Sequence, residues 1–281
     1  MLFSPQIISQ TRVFTGGAGG GVPGGAEAQA FLARASGLDA THQNAYADLI
    51  DGLVADGIWS KLDVLRIYAT SSSANAVLNL VSSSYTGTIN GSPTFTTDRG
   101  FTGVNASTTV YIESHFNPST APTPKFTRNS CHLSTWTLNS GGLSQAPELG
   151  YQDSPSGNSV AQIYAKYNGD NHTYVRPQTT GASGGDAGIL ADKRGHIGAN
   201  RSSSVQVDGY QNGASIYSNG ATASTAINNV TIGELGTNNG SAYSGCSSQQ
   251  AMVSWGSSLN STEWSNYYSR LRTYMTAVGV P

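Results

Sequence analysis

The sequence predicts a mainly β protein: an antiparallel sandwich with an N-terminal helical neck and a C-terminal helix. Three observations carry this. From Leu62 onward apolar residues recur at every second position, and β-branched and aromatic side chains predominate, as in Leu62-Asp63-Val64-Leu65-Arg66-Ile67-Tyr68. The same region is punctuated by Asn90-Gly91, Asn168-Gly169, Asp208-Gly209, Asn212-Gly213, Asn219-Gly220 and Asn239-Gly240, dipeptides that tolerate the positive φ of tight turns. Only 11% of the 281 residues are charged and 34 are glycine, so hydroxyls, amides and backbone provide the solubility, which suits a sheet-rich surface.

In chain order, residues 1–25 read as an anchoring arm and a glycine joint. Leu2, Phe3, Ile7, Ile8 and Phe14 give the arm too many apolar groups for an idle tail, and they are the expected subunit anchors; residues 16–25 form the joint. The neck, 26–60, holds two helical patterns. Ala26 to Ser36 stops at Gly37, and Thr41 to Asp56, with Tyr46, Leu49, Ile50, Leu53 and Val54 on one stripe, stops at Gly57. Their stripes are expected to pack on the neighbouring sandwich, with His42 a polar residue of the first turn.

The sandwich, 61–258, contains about ten candidate strands. They are Leu62 to Tyr68, Ala76 to Val81, Thr108 to Ile112, His132 to Leu138, Val160 to Tyr167, His172 to Arg176, His196 to Ala199, Val205 to Val207, Val230 to Leu235 and Ala251 to Trp255. The segment 259–281 is a helix that Asn260 caps, with Glu263 three residues on completing a capping box and Trp264 and Leu271 as core anchors.

Composition bears on partners. A net charge of -2 without clustered Lys and Arg gives no reason to expect nucleic acid, and no 18-residue apolar stretch exists that would insert in a membrane as a helix. The opening Met1 to Ile8 lacks a basic region and is broken by Pro5 and Gln6, so a secretory signal is not expected, and Cys131 and Cys246 are expected as two unpaired thiols.

No catalytic residue is assigned. Gly181-Ala182-Ser183-Gly184-Gly185 meets the letter of the G-x-S-x-G elbow, but Gln178-Thr179-Thr180 before it is no apolar strand and Gly184-Gly185-Asp186 after it no helix. Glycoside hydrolysis usually needs two adjacent carboxylates, whereas Glu113, Glu148, Glu234 and Asp153 read as isolated, solvated acids in or beside loops. Five histidines show no metal spacing, so no cofactor is expected; the oxygen-rich turn Asn168, Asp170, Asn171 leaves a structural calcium open, against the alternative of a turn chosen for its backbone angles.

The 14 tyrosines offer apolar faces and hydroxyls that suit stacking on a sugar or pairing with another protein. The expected carbohydrate-binding set is Tyr151, Asp153, Asp170, Tyr174 and Tyr210; the alternative is that these loops pack on neighbouring subunits.

Two stretches resemble a known group of proteins. Phe31-Leu32-Ala33-Arg34-Ala35-Ser36-Gly37-Leu38-Asp39, Asn44-Ala45-Tyr46 and Leu53 to Asp63 are similar to the helical lead-in of tail-associated or other virion proteins of bacteriophages and prophages. Gly91-Ser92-Pro93-Thr94-Phe95, Asp98 to Gly103 and Phe116-Asn117-Pro118-Ser119 resemble the opening of laminin-G-like, concanavalin-like jelly rolls in those proteins. The resemblance covers most of residues 26–281. It implies a non-enzymatic virion component of tail, baseplate, fibre or head surface, assembled in the bacterial cytoplasm. Its implied partners are other virion proteins, further copies of itself and host surface glycans. A glycoside hydrolase or lyase on the same fold is the alternative.

Overall fold

The computed structural model describes residues 22–139, 146–153, 157–181 and 184–281. The arm residues Leu2, Phe3, Ile7, Ile8 and Phe14, the joint up to Gly21 and Ser183 lie outside the described residues. Helices α1 (Ala26–Leu32) and α2 (Ala40–Ala55) precede strand β1 (Leu62–Ile67), and a short α3 (Ser73–Ala76) follows it. Then come β2 (Thr88–Asn90), β3 (Thr94–Thr96), β4 (Gly100–Thr102), β5 (Tyr111–Glu113), β6 (Cys131–Thr137), β7 (Leu149–Gln152), β8 (Val160–Tyr164) and β9 (Tyr174–Thr179). The chain continues through β10 (Gly195–Arg201), β11 (Val207–Gln211), β12 (Ala214–Asn219), β13 (Gly233–Glu234), β14 (Gly236–Asn238), β15 (Tyr243–Gly245) and β16 (Gln249–Gly256) to α4 (Ser261–Ala277).

Two eight-stranded sheets form the sandwich. One runs β12-β11-β10-β6-β16-β4-β3, with β1 also paired to β16; the other runs β15-β14-β7-β13-β5-β2, with β8 on β7 and β9 on β8. Among the described strands all pairings are antiparallel except β14 with β7. The fold is the mainly β sandwich that the period-two pattern predicts, with the helices at both ends that the helical spacing and caps predict.

The first sheet is covered on both faces, which makes three layers. Alternation sends Val64, Leu133, Ile197, Ala199, Val253 and Trp255 into the space between the sheets, against Ile112, Leu149, Tyr151, Ile163 and Val175 of the second sheet. The opposite face, with Leu65, Ile67, Trp136 and Met252, packs on Phe31, Tyr46, Ile50, Trp264, Leu271 and Met275 of the helices. Double cover explains why every residue of β6 and β10 is buried. Gly198 shows how closely α4 sits: a Cβ there would lie 2.2 Å from the Trp264 ring. Asn260 and Glu263 form the expected capping box at the start of α4. Cys131 and Cys246 are buried free thiols.

Three expectations are corrected. Ala76 to Val81 is not a strand: the Ser72 side chain accepts from Asn75 N and starts α3, and Asn79 Oδ1 accepts from the backbone N–H of Leu65 at 3.2 Å and of Val81 at 3.1 Å, so a side-chain amide holds the segment beside β1. Asp208-Gly209 is not a turn but the middle of β11; a Cβ on Gly209 would come within 2.7 Å of Val175. Glu148 and Glu234 are not solvated but fully buried. Glu234 pairs with Arg66 between the sheets and accepts from the Tyr68 hydroxyl. His42, beyond its first-turn role, is clasped between Asp39 and Asp98, each at 2.8 Å, and so ties α2 to the β3–β4 hairpin.

Candidate functional site

Among the described residues no helical layer covers the outer face of the second sheet, and its β8–β9 hairpin carries a dense group of chemistry-bearing side chains. Register pairs Tyr164 with Tyr174 and Gln162 with Arg176. Because Ile163 and Val175 point into the core, Tyr164, Tyr174 and Arg176 point outward. Tyr167, 37% exposed, joins them from the connecting turn. The three rings meet edge-on, with centroids 5.4 Å apart for Tyr164–Tyr167, 6.1 Å for Tyr164–Tyr174 and 6.0 Å for Tyr167–Tyr174. The Arg176 guanidinium lies 4.1 Å from the Tyr174 ring centre and 5.4 Å from that of Tyr164.

The turn that closes the hairpin is held by its own acids. Asp170 Oδ1 accepts from His172 N at 2.8 Å and its Oδ2 accepts from the Tyr174 hydroxyl at 2.6 Å. Asn171 takes the left-handed conformation, φ 66°, and its carbonyl accepts from Lys193 Nζ. The segment after β9 folds back along it: Val175 N donates to Gly185 O at 2.8 Å and Thr173 N to Gly188 O at 2.9 Å. That return brings Asp186 to His172, 2.8 Å from Nδ1. The hydrogen bond from Tyr174, then that from His172 N, holds the Asp170 carboxyl below the usual carboxylate range, and the same Asp170 contact pushes the Tyr174 hydroxyl up to about 12. Burial pushes Tyr164 up to about 12 as well, against the opposing pull of Arg176.

Of the expected carbohydrate-binding residues, the structure brings Asp170 and Tyr174 together and separates the other three. Tyr151 is not a loop residue: it lies on β7, fully buried on the inner face, its hydroxyl donating to Gln178. Asp153 sits at the opposite end of β8, half-buried, where Oδ1 accepts from Ser159 N at 2.9 Å. Tyr210 is on β11, stacked on Trp264 at 4.9 Å beneath α4, on the far side of the covered sheet. Tyr151 and Tyr210 are therefore core residues, a correction to their reading as contact tyrosines. Tyr164, Tyr167, His172, Arg176 and Asp186 are added to the group. The alternation Ala161, Ile163 against Tyr164, and Val175 against Tyr174 and Arg176, is the sequence signal that exposes them.

A second depression of the same sheet, about 450 Å³, lies beside Tyr111 and Tyr243. These rings stack in parallel at 3.6 Å, and the Tyr243 hydroxyl donates to Glu113. Among the described residues no group of three or more His, Cys, Asp or Glu is arranged to hold a metal ion. The Asp170 oxygens of the turn considered for calcium are taken by Tyr174 and His172.

No protein-family model and no curated protein sequence matches the chain. Solved structures share its fold. A mutant of Trypanosoma rangeli sialidase displaying trans-sialidase activity is similar over 83% of this chain and 38% of its own length, with 13% identity and a TM-score of 0.53. The binding domain of botulinum neurotoxin DC, in complex with rat synaptotagmin II, is similar over 76% of this chain and 52% of its own, with 14% identity and a TM-score of 0.52. A structure of botulinum neurotoxin type C, whose cell entry depends upon interaction with two ganglioside molecules, is similar over 77% and 53%, with 13% identity and a TM-score of 0.52. The chain spans about half or less of the length of these proteins, and what it shares with them is the β-sandwich.

Proposed function

We propose that the chain is a non-enzymatic carbohydrate-binding sandwich that serves as an adhesive and structural component of a bacteriophage particle. The observation that carries the binding reading is the exposed Tyr167 and half-buried Tyr174, backed by the buried Tyr164, with Arg176 and Asp170 on the outer side of the hairpin. A sugar presents C–H faces that pack on aromatic rings and hydroxyls that pair with carboxylates and amides, and this hairpin offers both. The particle context rests on the resemblance of the helical lead-in and of the jelly-roll opening to virion proteins. The three sandwich neighbours support it only as a fold. A single site of this kind binds weakly, about 4 kcal/mol or millimolar. Several copies on one particle raise the avidity by around 10² or more.

The competing reading is hydrolysis or lyase chemistry on the same fold, favoured by one observation: Asp170 and Asp186 both face this turn. The non-enzymatic reading is supported by the direction of the Asp170 shift, which is downward, whereas a general acid needs a raised value. Glu148, pushed up to about 7 by burial, is sealed from any substrate and bonded to Ser248 and Ala165. A multivalent form of the full chain on an array of host envelope glycans tests the proposal. Binding should be lost in Tyr167→Ala and Tyr174→Ala, with thermal midpoints near that of the parent. Release of reducing ends that disappears in Asp170→Asn would establish the enzyme instead. Absence of the chain from purified particles would remove the virion role.

A further inference from the structure

We infer that the sugar bound at the β8–β9 hairpin is an acidic one, recognised through its carboxylate by the guanidinium fork of Arg176. This rests on the carbohydrate reading and names its ligand class. Arg176 is held in place before any ligand arrives. Its stem lies against Gly184, where a Cβ would come 2.9 Å from Arg176 Cγ, so the space beside the stem is open only because residue 184 is glycine. Its Nε donates to Gly184 O at 3.4 Å, and its guanidinium carbon lies over the Tyr174 ring at 4.1 Å and the Tyr164 ring at 5.4 Å. Among the described residues that leaves the two terminal nitrogens of the fork without a hydrogen-bond partner.

Among the described residues Arg176 makes no ion pair; the pairs formed are those of His42, Lys61, Arg66, His172, Arg194 and Arg270. The acids nearest to hand are already committed. Asp170 takes the Tyr174 hydroxyl and His172 N, and Asp186 takes the His172 ring and Gly188 N at 2.8 Å. Lys166, half-buried two residues after Tyr164, likewise makes no ion pair among the described residues. The hairpin thus presents an ordered, unpaired cation on an aromatic floor. A neutral sugar covering that floor would desolvate the fork without satisfying it. A planar carboxylate matches the fork in bidentate fashion. The remaining ring then packs against Tyr167, the exposed ring of the group.

The test uses the full chain and two acidic probes, 3′-sialyllactose and a galacturonate trisaccharide, each compared with its methyl ester, which keeps the sugar and removes the charge. Titration by NMR should show at least one acid bound about tenfold or more tightly than its ester, with the preference shrinking as NaCl is raised. Arg176→Gln should bring the ratio near one, and Arg176→Lys should keep the salt dependence but lose most of the tightness; thermal midpoints verify that both variants fold. Equal binding of acid and ester, or a preference that survives Arg176→Gln, overturns the carboxylate assignment while leaving the carbohydrate reading intact. Absence of binding to all four probes and to the wider glycan array overturns both.

Discussion

Replacing Glu148 by glutamine should stabilise the protein at neutral and alkaline pH, although it removes a charge that accepts two hydrogen bonds. Glu148 Oε1 accepts from Ser248 Oγ at 2.6 Å and Oε2 from Ala165 N at 2.7 Å, yet the side chain is fully buried. Burial is the larger influence and raises the carboxyl from 4.5 to about 7, with the Ser248 and Ala165 hydrogen bonds pulling the other way. A raised acid favours the folded state fully below its unfolded value near 4.5 and loses that advantage as pH climbs through about 7. The difference is worth about 3 kcal/mol, at roughly 1.4 kcal/mol for each pH unit of the gap. Glutamine keeps the shape: its oxygen accepts from Ala165 N and its amide donates to Ser248 Oγ once that hydroxyl reverses. Urea denaturation of parent and Glu148→Gln from pH 4.5 to 8.5 should show near-equal stability at the acid end and a lead of about 3 kcal/mol for the variant at pH 8, or roughly 6 °C in thermal midpoint. Comparing the two proteins at each pH cancels the titration of every other group. A constant difference across the range, or a variant weaker than the parent at pH 8, would refute the reasoning.

Three further outcomes follow from the packing. Gly198→Ala should cost about 1–3 kcal/mol in denaturant unfolding, because its Cβ would meet the Trp264 ring at 2.2 Å and α4 would have to lift; an unchanged midpoint would show that the contact yields freely. Burial pulls His42 down, but its hydrogen bonds to Asp98 and Asp39 outweigh this and raise it. Its clasp therefore stabilises fully below pH about 6.5 and fades as pH rises through the raised value; His42→Gln should flatten that part of the stability profile, and an unaltered profile counts against the clasp. His132 and His196, beneath α4, are lowered by burial to about 4 and about 3. Their contribution is present above about 6.5 and is lost as pH falls toward the folded values. Their ring-proton NMR signals should not move between pH 8 and 5, and titration near 6.5 would place them in solvent.

What the sequence disclosed, and what it withheld, divides by the range of the interaction. Asn260 with Glu263, and Asn212-Gly213 with φ of 50° and 78° between β11 and β12, are local devices whose partners lie within a few residues, and both are found where expected. The burial of Glu234 is set by Arg66, 168 residues away, and nothing near Glu234 announces it. Tyr151 and Tyr210 misled for a related reason. Asp208-Gly209 reads as a turn and puts Tyr210 in a loop, whereas Gly150 and Gly209 both lie in strands, where the Ala161 carbonyl and Val175 crowd the places their Cβ atoms would take. That the helices pack on the sandwich was legible in their apolar stripes, but which sheet they cover was not, because a strand buried on both faces has no alternation to read. In the candidate site, Asp170 and Tyr174 were legible as a turn acid beside an aromatic residue. Arg176 was not, since its significance is the ion pair it does not make.

The three layers give the molecule a direction. The Gly25 N–H is fastened to the Asp51 carboxylate on α2, 3.0 Å from each oxygen, so the described chain starts out from the helical layer. The tyrosine and arginine group faces away from the opposite layer, with two sheets about 10 Å apart in between. A pull between a support gripping the chain ahead of Gly25 and a ligand seated on Arg176 would therefore run across the layers. It would load the α2–α4 helix pair, the Gly198–Trp264 contact and the buried Arg66–Glu234 tie in series rather than peel one strand from an edge. Separation across whole faces breaks many contacts at once, which is the stronger way to load a sandwich, and single-molecule stretching from the two ends of that line would measure it directly.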